Sequence, residues 1–276
     1  MSDMEEVALA AHTQFHLGPV PITDGVLTAF GITLTLAILL PLLMRGAGTI
    51  PTRFQSAMEV FMEFMMKNFT TAFGTEERAR TFAPLLLTLM VFISIANQLS
   101  FVPLVNQIVL GEHHLFRLPT TDLSATAALA ILVIVIAHGI AFAVAPIRHI
   151  GDYIKIGHFF HAKTPTDYMQ AVIELFLGPM ELLSEIAKVL SLSCRLFGNI
   201  FAGEVMVAII TGLSAYTQFV VTWPINVLGL LVGFVQAFVF TMLSTMFIAN
   251  TIRPYLDLRD ARLGKKTEGL TVNVHP

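Results

Sequence analysis

Residues 167–213 read DYMQAVIELFLGPMELLSEIAKVLSLSCRLFGNIFAGEVMVAIITGL. The segment is oily enough for a bilayer, yet it carries Glu174, Glu181, Glu185, Lys188, Arg195 and Glu204. It is also too long. As one α-helix, about 47 residues rise ~70 Å, more than twice the ~30 Å of a hydrocarbon core. Such a helix must tilt steeply, break, or run partly along the membrane, and Gly178-Pro179 is the candidate bend.

The rest of the chain sets the context. Of 276 residues, 55% are hydrophobic and 13% charged, and mean hydropathy is +0.75. Soluble domains carry about 25% charged residues, so the class is integral membrane protein. A net charge of -3 gives no nucleic-acid surface. The single cysteine, Cys194, excludes an internal disulfide and most zinc sites, and reads as a small packing residue. The acidic start, free of Lys and Arg, is the reverse of a signal peptide, so no removable targeting sequence is expected. No phosphate loop, nucleophile triad or metal cluster is legible. No cofactor, metal or catalytic residue is therefore expected.

Four further apolar runs, 26–44, 82–105, 123–145 and 224–252, are each long enough to span. Between the first two, Phe54, Met58, Phe61, Met62, Met65 and Met66 recur at helical spacing, with Glu59, Glu63 and Lys67 on another face. Residues 53–74 therefore predict an amphipathic interfacial helix. Basic residues alternate from loop to loop. The tail 1–24 has none, and the first loop has Arg45, Arg53, Lys67, Arg78 and Arg80. The second has Arg117, the third Arg148, Lys155 and Lys163, the fourth none, and the tail 253–276 has Arg253, Arg259, Arg262, Lys265 and Lys266. Five spans satisfy this pattern with the N-terminus outside and the C-terminus cytoplasmic. The predicted fold is all-α: one membrane domain with five embedded helices and one interfacial helix, the last two spans forming a long tilted antiparallel hairpin.

At about 100° per residue, Lys188, Glu181, Asn199 and Glu185 fall within roughly 80° of Arg195, while Glu204 points to the opposite face. Arg195 costs at least ~2.5–3.5 kcal/mol at a bilayer centre and has no acid three or four positions away, so it reads as a functional charge. Glu204, toward the outside, reads as a relay carboxyl. Lys188 is expected to pair with Glu185 or to snorkel. Glu181 and Glu185, a like-charged pair, point to a hydrated cytoplasmic vestibule. Gly229 and Gly233 give the last span a close-packing surface, and Gln236 sits at a depth comparable with Arg195, as a neutral partner for it. His138 reads first as a packed imidazole and second as a relay group. His113, His114, His149, His158 and His161 read as interfacial loop residues. Asp122 reads as a helix N-cap at the outer mouth, with a minor part in gathering cations. Asn97 and Gln98 would wet an outer cavity.

LSLSCRLFGNIFAGEVM (190–206), VQAFVFTML (235–243) and PTTDL (119–123) resemble subunit a of the bacterial F-type ATP synthases, a likeness covering roughly residues 25–252. The resemblance implies a stator subunit without catalysis of its own. Two tilted helices would face a ring of c subunits bearing essential carboxylates, beside peripheral-stalk b subunits, in the bacterial inner membrane. Arg195 matches the family's essential arginine. Asn199, Glu204 and Gln236 match positions of the outer half-channel, and Glu181, Lys188 and Ser191 also fall on family positions, Glu181 near the inner one. One departure is clear: Gly229 stands where many members carry a histidine or an acid facing the position of Glu204. The transported ion is H+, with Na+ the alternative, because ring residues decide it. A stand-alone secondary transporter is the reading from another class. It predicts inverted repeats, and the sequence contains none.

Overall fold

The computed structural model describes residues 13–17, 20–44, 52–99, 109–110, 113–114, 122–153, 165–213 and 215–262. The N-terminal hairpin pairs β1 (Thr13–Leu17) with β2 (Val20–Thr23), and β2 runs directly into α1 (Asp24–Met44). Next come α2 (Arg53–Phe73) and α3 (Glu76–Leu99). A second small hairpin pairs β3 (Val109–Leu110) with β4 (His113–His114). Then follow α4 (Leu123–Val144), α5 (Pro146–Tyr153), α6 (Pro165–Leu213) and α7 (Ala215–Arg262). Among the described residues the elements are helices apart from these two hairpins, which the all-α expectation did not include.

Among the described residues, four helices, α1, α3, α4 and α7, are long and apolar enough to cross a membrane. The expectation was five. The remaining one, α6, is 49 residues long and is not among these four.

The ends of the elements have local causes. Thr52 Oγ1 accepts from Gln55 N at 3.2 Å and caps α2, and Gly74 closes it in the left-handed region at φ 81°, donating to Thr70 O. The predicted 53–74 thus ends one residue early because Gly74 is the cap. The second span was expected at 82–105, but α3 begins at Glu76. Thr75 caps it and Glu76 and Glu77 favour its N-terminus, whereas hydropathy counts those charges against a span. Ala145 separates α4 from α5 because the residue before Pro146 is kept out of the helical region, while Pro146 suits a first helical position. The 48 residues of α7 overrun the predicted 224–252 at both ends: hydropathy marks a hydrocarbon stretch, not helix limits. α6 continues through Pro179 without interruption, so no break falls there.

The chain divides into two compact units. One holds Met1–Ala130 and Leu190–Thr245. In it Met65, Phe69 and Phe73 of α2 are buried, α2 packs on α3, and the Phe73 and Phe82 rings stack at 4.8 Å. Ile32 and Leu36 of α1 cluster with Ala96 of α3. Phe64 of α2 stacks on Phe238 of α7 at 6.0 Å. Met58 and Met62, expected on one interfacial stripe with Met65, stay exposed. The buried face of α2 instead follows Met65, Phe69 and Phe73, the four-residue ridge of helix packing. The other unit holds Ile131–Val189 and Met246–Pro276. Its α5 ends against α6, and a Cβ at Gly178 would run into Tyr153 O.

Candidate functional site

In the first unit, Leu192, Leu196 and Ile200 of α6 are buried at i, i+4 and i+8. That spacing fixes which way the helix faces. Ser191, Cys194, Arg195, Ala202 and Met206 consequently face outward. Cys194 is exposed, not packed as expected. The Arg195 guanidinium has no hydrogen bond or ion pair among the described residues. Asn199 is half-buried. Glu204 lies within α6, and its side chain is outside the described residues.

Gln236 of α7 is 7% exposed, and its Nε2 has no partner among the described residues. It does not bond Arg195 among the described residues. The expected pair is corrected for a simple reason: depth along two helices does not determine facing, and Gln236 points inward while Arg195 points outward. The glycine surface also meets a different neighbour. Asn97 Nδ2 donates to Gly233 O at 3.0 Å, and Gln98 Nε2 donates to Leu230 O at 2.9 Å. A Cβ on Gly233 would lie 3.2 Å from Asn97 Cβ, so the small residue lets α3 and α7 approach. Asn97 Oδ1, Gln98 Oε1 and Gln236 Nε2 remain buried and unsatisfied, a set of amide atoms suited to water. Asp122 Oδ1 accepts from Ser124 N at 2.9 Å and from Ser124 Oγ at 2.5 Å, the N-cap its position implied. Thr126 Oγ1 and Ser193 Oγ, both buried, lie 3.4 Å apart and join α4 to α6.

In the second unit, Glu185 divides its two oxygens. Oε1 accepts from Lys188 Nζ at 2.6 Å, and Oε2 is 3.4 Å from His138 Nε2. Lys188 also lies 5.7 Å over the Phe247 ring. Glu181 is exposed. His138 Nδ1 is 3.1 Å from His149 Nε2. His149 Nδ1 is 2.8 Å from Tyr255 Oη, which donates to Asp152 Oδ2 at 2.6 Å. His149, expected in a loop, is instead buried in α5. Burial, then the neighbouring His138, pushes its pKa below the usual histidine value. Tyr153 stands edge-on to His149 at 5.4 Å. Burial, then Glu185, Glu181 and Asp152, push its phenol up to about 12, so it stays protonated.

Asp152 and Tyr255 had not been singled out in the sequence. His149, Asp152 and Tyr153 at i, i+3 and i+4 are the local signal that was available. Tyr255 lies 106 residues from His149 and past the expected end of its span. His113 and His114 form β4; His158 and His161 lie outside the described residues.

A profile of the ATP synthase A chain family matches residues 26–249. A protein of Moorella thermoacetica called ATP synthase subunit a is 35% identical, covering 86% of this chain and 94% of its own. One from a Bradyrhizobium strain, called ATP synthase subunit a 2, is 30% identical over 90% of this chain and 97% of its own. Another from Pelobacter propionicus is 32% identical over 87% and 91%.

Proposed function

Because the chain belongs to the ATP synthase A chain family, we propose that Arg195 divides two half-membrane ion paths beside a rotating ring of c subunits. At the coarser level, the protein is a multi-pass subunit of the ATP synthase membrane sector and works within that complex in ion transport and ATP synthesis; it is not itself the catalytic subunit.

The observation that carries the reading is the guanidinium of Arg195, without an ion pair among the described residues, on the outward face of α6, anchored from behind by Leu192, Leu196 and Ile200. A ring carboxyl passing it meets an opposite charge, which typically lowers a carboxyl pKa by ~1–3 units. The carboxyl then releases its proton to whichever path is open. The same charge repels a cation moving straight from one path to the other, so ions cross only by riding the ring. Each charge moved down ~100 mV supplies ~2.3 kcal/mol for rotation.

In this reading α6 is the fifth membrane helix and forms with α7 the tilted hairpin that faces the ring. The chain is a stator in the bacterial inner membrane beside peripheral-stalk b subunits, N-terminus outside and C-terminus cytoplasmic. Glu181, Glu185 and Lys188 line the cytoplasmic path, with His138 beside them, and Ser191 borders Arg195. Glu204, Asn199 and Gln236 serve the outer path, where the unsatisfied amides of Asn97, Gln98 and Gln236 support the presence of water; Asp122 stands at its mouth. Protons are the ion transported.

Arg195→Ala is expected to abolish ATP-driven proton pumping in inverted vesicles while the complex still assembles. Pumping by the mutant at the wild-type rate overturns the assignment.

A further inference from the structure

We propose that Glu185, His138, His149, Tyr255 and Asp152 form a side-chain proton wire at the cytoplasmic end of the second unit, with His149, Tyr255 and Asp152 as its new members. It rests on the reading of Glu185 as part of the cytoplasmic path and gives that path a route to its mouth. The links run from Glu185 Oε2 to His138 Nε2 at 3.4 Å, from His138 Nδ1 to His149 Nε2 at 3.1 Å, from His149 Nδ1 to Tyr255 Oη at 2.8 Å, and from Tyr255 Oη to Asp152 Oδ2 at 2.6 Å. These residues come from α4, α5, α6 and α7, so the alignment is a product of tertiary packing.

One assignment of hydrogens satisfies the three links from His138 to Asp152, and the fourth closes when Glu185 Oε2 carries a proton. Tyr255 donates to Asp152, so its oxygen accepts from His149 Nδ1–H. His149 Nε2 is then bare and accepts from His138 Nδ1–H. His138 Nε2 is bare in turn and faces Glu185 Oε2. Burial of His149 keeps its imidazole neutral, as a group that both donates and accepts must be. The titratable groups facing it are His138 from α4, Asp152 and Tyr153 from α5, Glu181 and Glu185 from α6, and Tyr255 from α7. Lys188 occupies the other oxygen of Glu185 and leaves Oε2 for the wire. Among the described residues no group of three or more His, Cys, Asp or Glu is placed to hold a metal ion, so the paired imidazoles do not read as a metal site.

A proton on Glu185 Oε2 moves to His138 Nε2. His138 releases its Nδ1 proton to His149 Nε2. His149 releases its Nδ1 proton to Tyr255 Oη as the phenol proton passes to Asp152 Oδ2, and Asp152 releases it to water. Only N–H and O–H bonds form and break, and the charge delivered equals the charge received. Each imidazole is left protonated on Nε2 and returns to its starting tautomer by proton exchange with water, Nδ1 gaining a proton as Nε2 loses one, while the Tyr255 hydroxyl resets by turning its O–H. In ATP-driven pumping the wire runs in the opposite direction. A wire of this kind carries H+ and not Na+.

The rival role is a tether, in which the same bonds only hold α5 in place. Asp152→Asn separates the two, because an amide oxygen still accepts from Tyr255 but cannot take a proton. Tyr255→Phe removes the link itself. Both are tested in the complete ATP synthase in inverted vesicles, cytoplasmic face outward, by ATP-driven acidification across neutral pH at low and high concentrations of a mobile imidazole buffer. The wire predicts pumping slowed by about tenfold at low buffer, less than the ~10²-fold of a lost general acid or base because water bridges part of the gap. The deficit should deepen as pH rises and shrink with added buffer. Overturning results are a wild-type rate in both variants, or a loss independent of pH and buffer. If Arg195→Ala pumps normally, the half-channel reading has failed, whatever these variants do. If Arg195→Ala is inactive while Tyr255→Phe and Asp152→Asn pump like wild type, only the wire has failed.

Discussion

Gly178→Ala adds one methyl group where α6 meets the end of α5. The new Cβ would fall well inside van der Waals contact with Tyr153 O and lie 3.3 Å from Tyr153 C. An ordinary carbon–oxygen contact is ~3.3 Å or more, so α5 or α6 must give way by about 1 Å. The obstacle is a backbone carbonyl and no rotamer change relieves it. Gly178 also precedes Pro179, where a Cβ meets the proline ring when the backbone is helical. Overpacking costs ~1–3 kcal/mol, and the gain in helix propensity from Gly to Ala offsets ~1 kcal/mol of it, leaving a net loss of up to ~2 kcal/mol. A shift of that size would also carry His149 and Asp152 away from His138 and Tyr255, whose bonds at 3.1 and 2.6 Å would approach or pass the 3.5 Å limit. The assay is the midpoint of thermal release of this subunit from the purified complex. Gly31→Ala is the control: nothing lies within 4 Å of its Cβ position, and it should match or exceed wild type by up to ~1 kcal/mol. If Gly178→Ala is as stable as Gly31→Ala, the close approach of α5 to α6 is wrong.

Asp122→Ala should weaken the start of α4 by ~1 kcal/mol, read as a lower thermal midpoint, while Asp122→Asn keeps the cap and stays near wild type. Slower pumping by Asp122→Asn at unchanged stability would instead show that its charge gathers cations. Glu204→Gln should slow proton entry from the outer side during ATP synthesis, most strongly when outer protons are scarce; a synthesis rate equal to wild type across outer pH removes Glu204 from the relay.

Much of this protein was legible in its residues. Apolar runs identified α1, α3, α4 and α7 because hydrocarbon offers the backbone no hydrogen-bond partner and a spanning helix must satisfy itself. The charge of Arg195 pointed to the proposed site because an intramembrane arginine is costly unless it has work to do. Lys188 with Glu185 and the Asp122 cap were local, within three residues, and helix geometry alone defines such pairs. Facing was not legible. Helical phase orders residues around one axis, but only the buried Leu192, Leu196 and Ile200 decide which side of α6 is inward. That is why Gln236 turned away from Arg195, and why Gly233 met Asn97 of α3. The tertiary structure alone joined His138, His149, Tyr255 and Asp152. Their separations in sequence reach 106 residues, and each is unremarkable alone. A hydrogen bond depends on two atoms lying within ~3.5 Å, a condition that residue type does not encode and packing does.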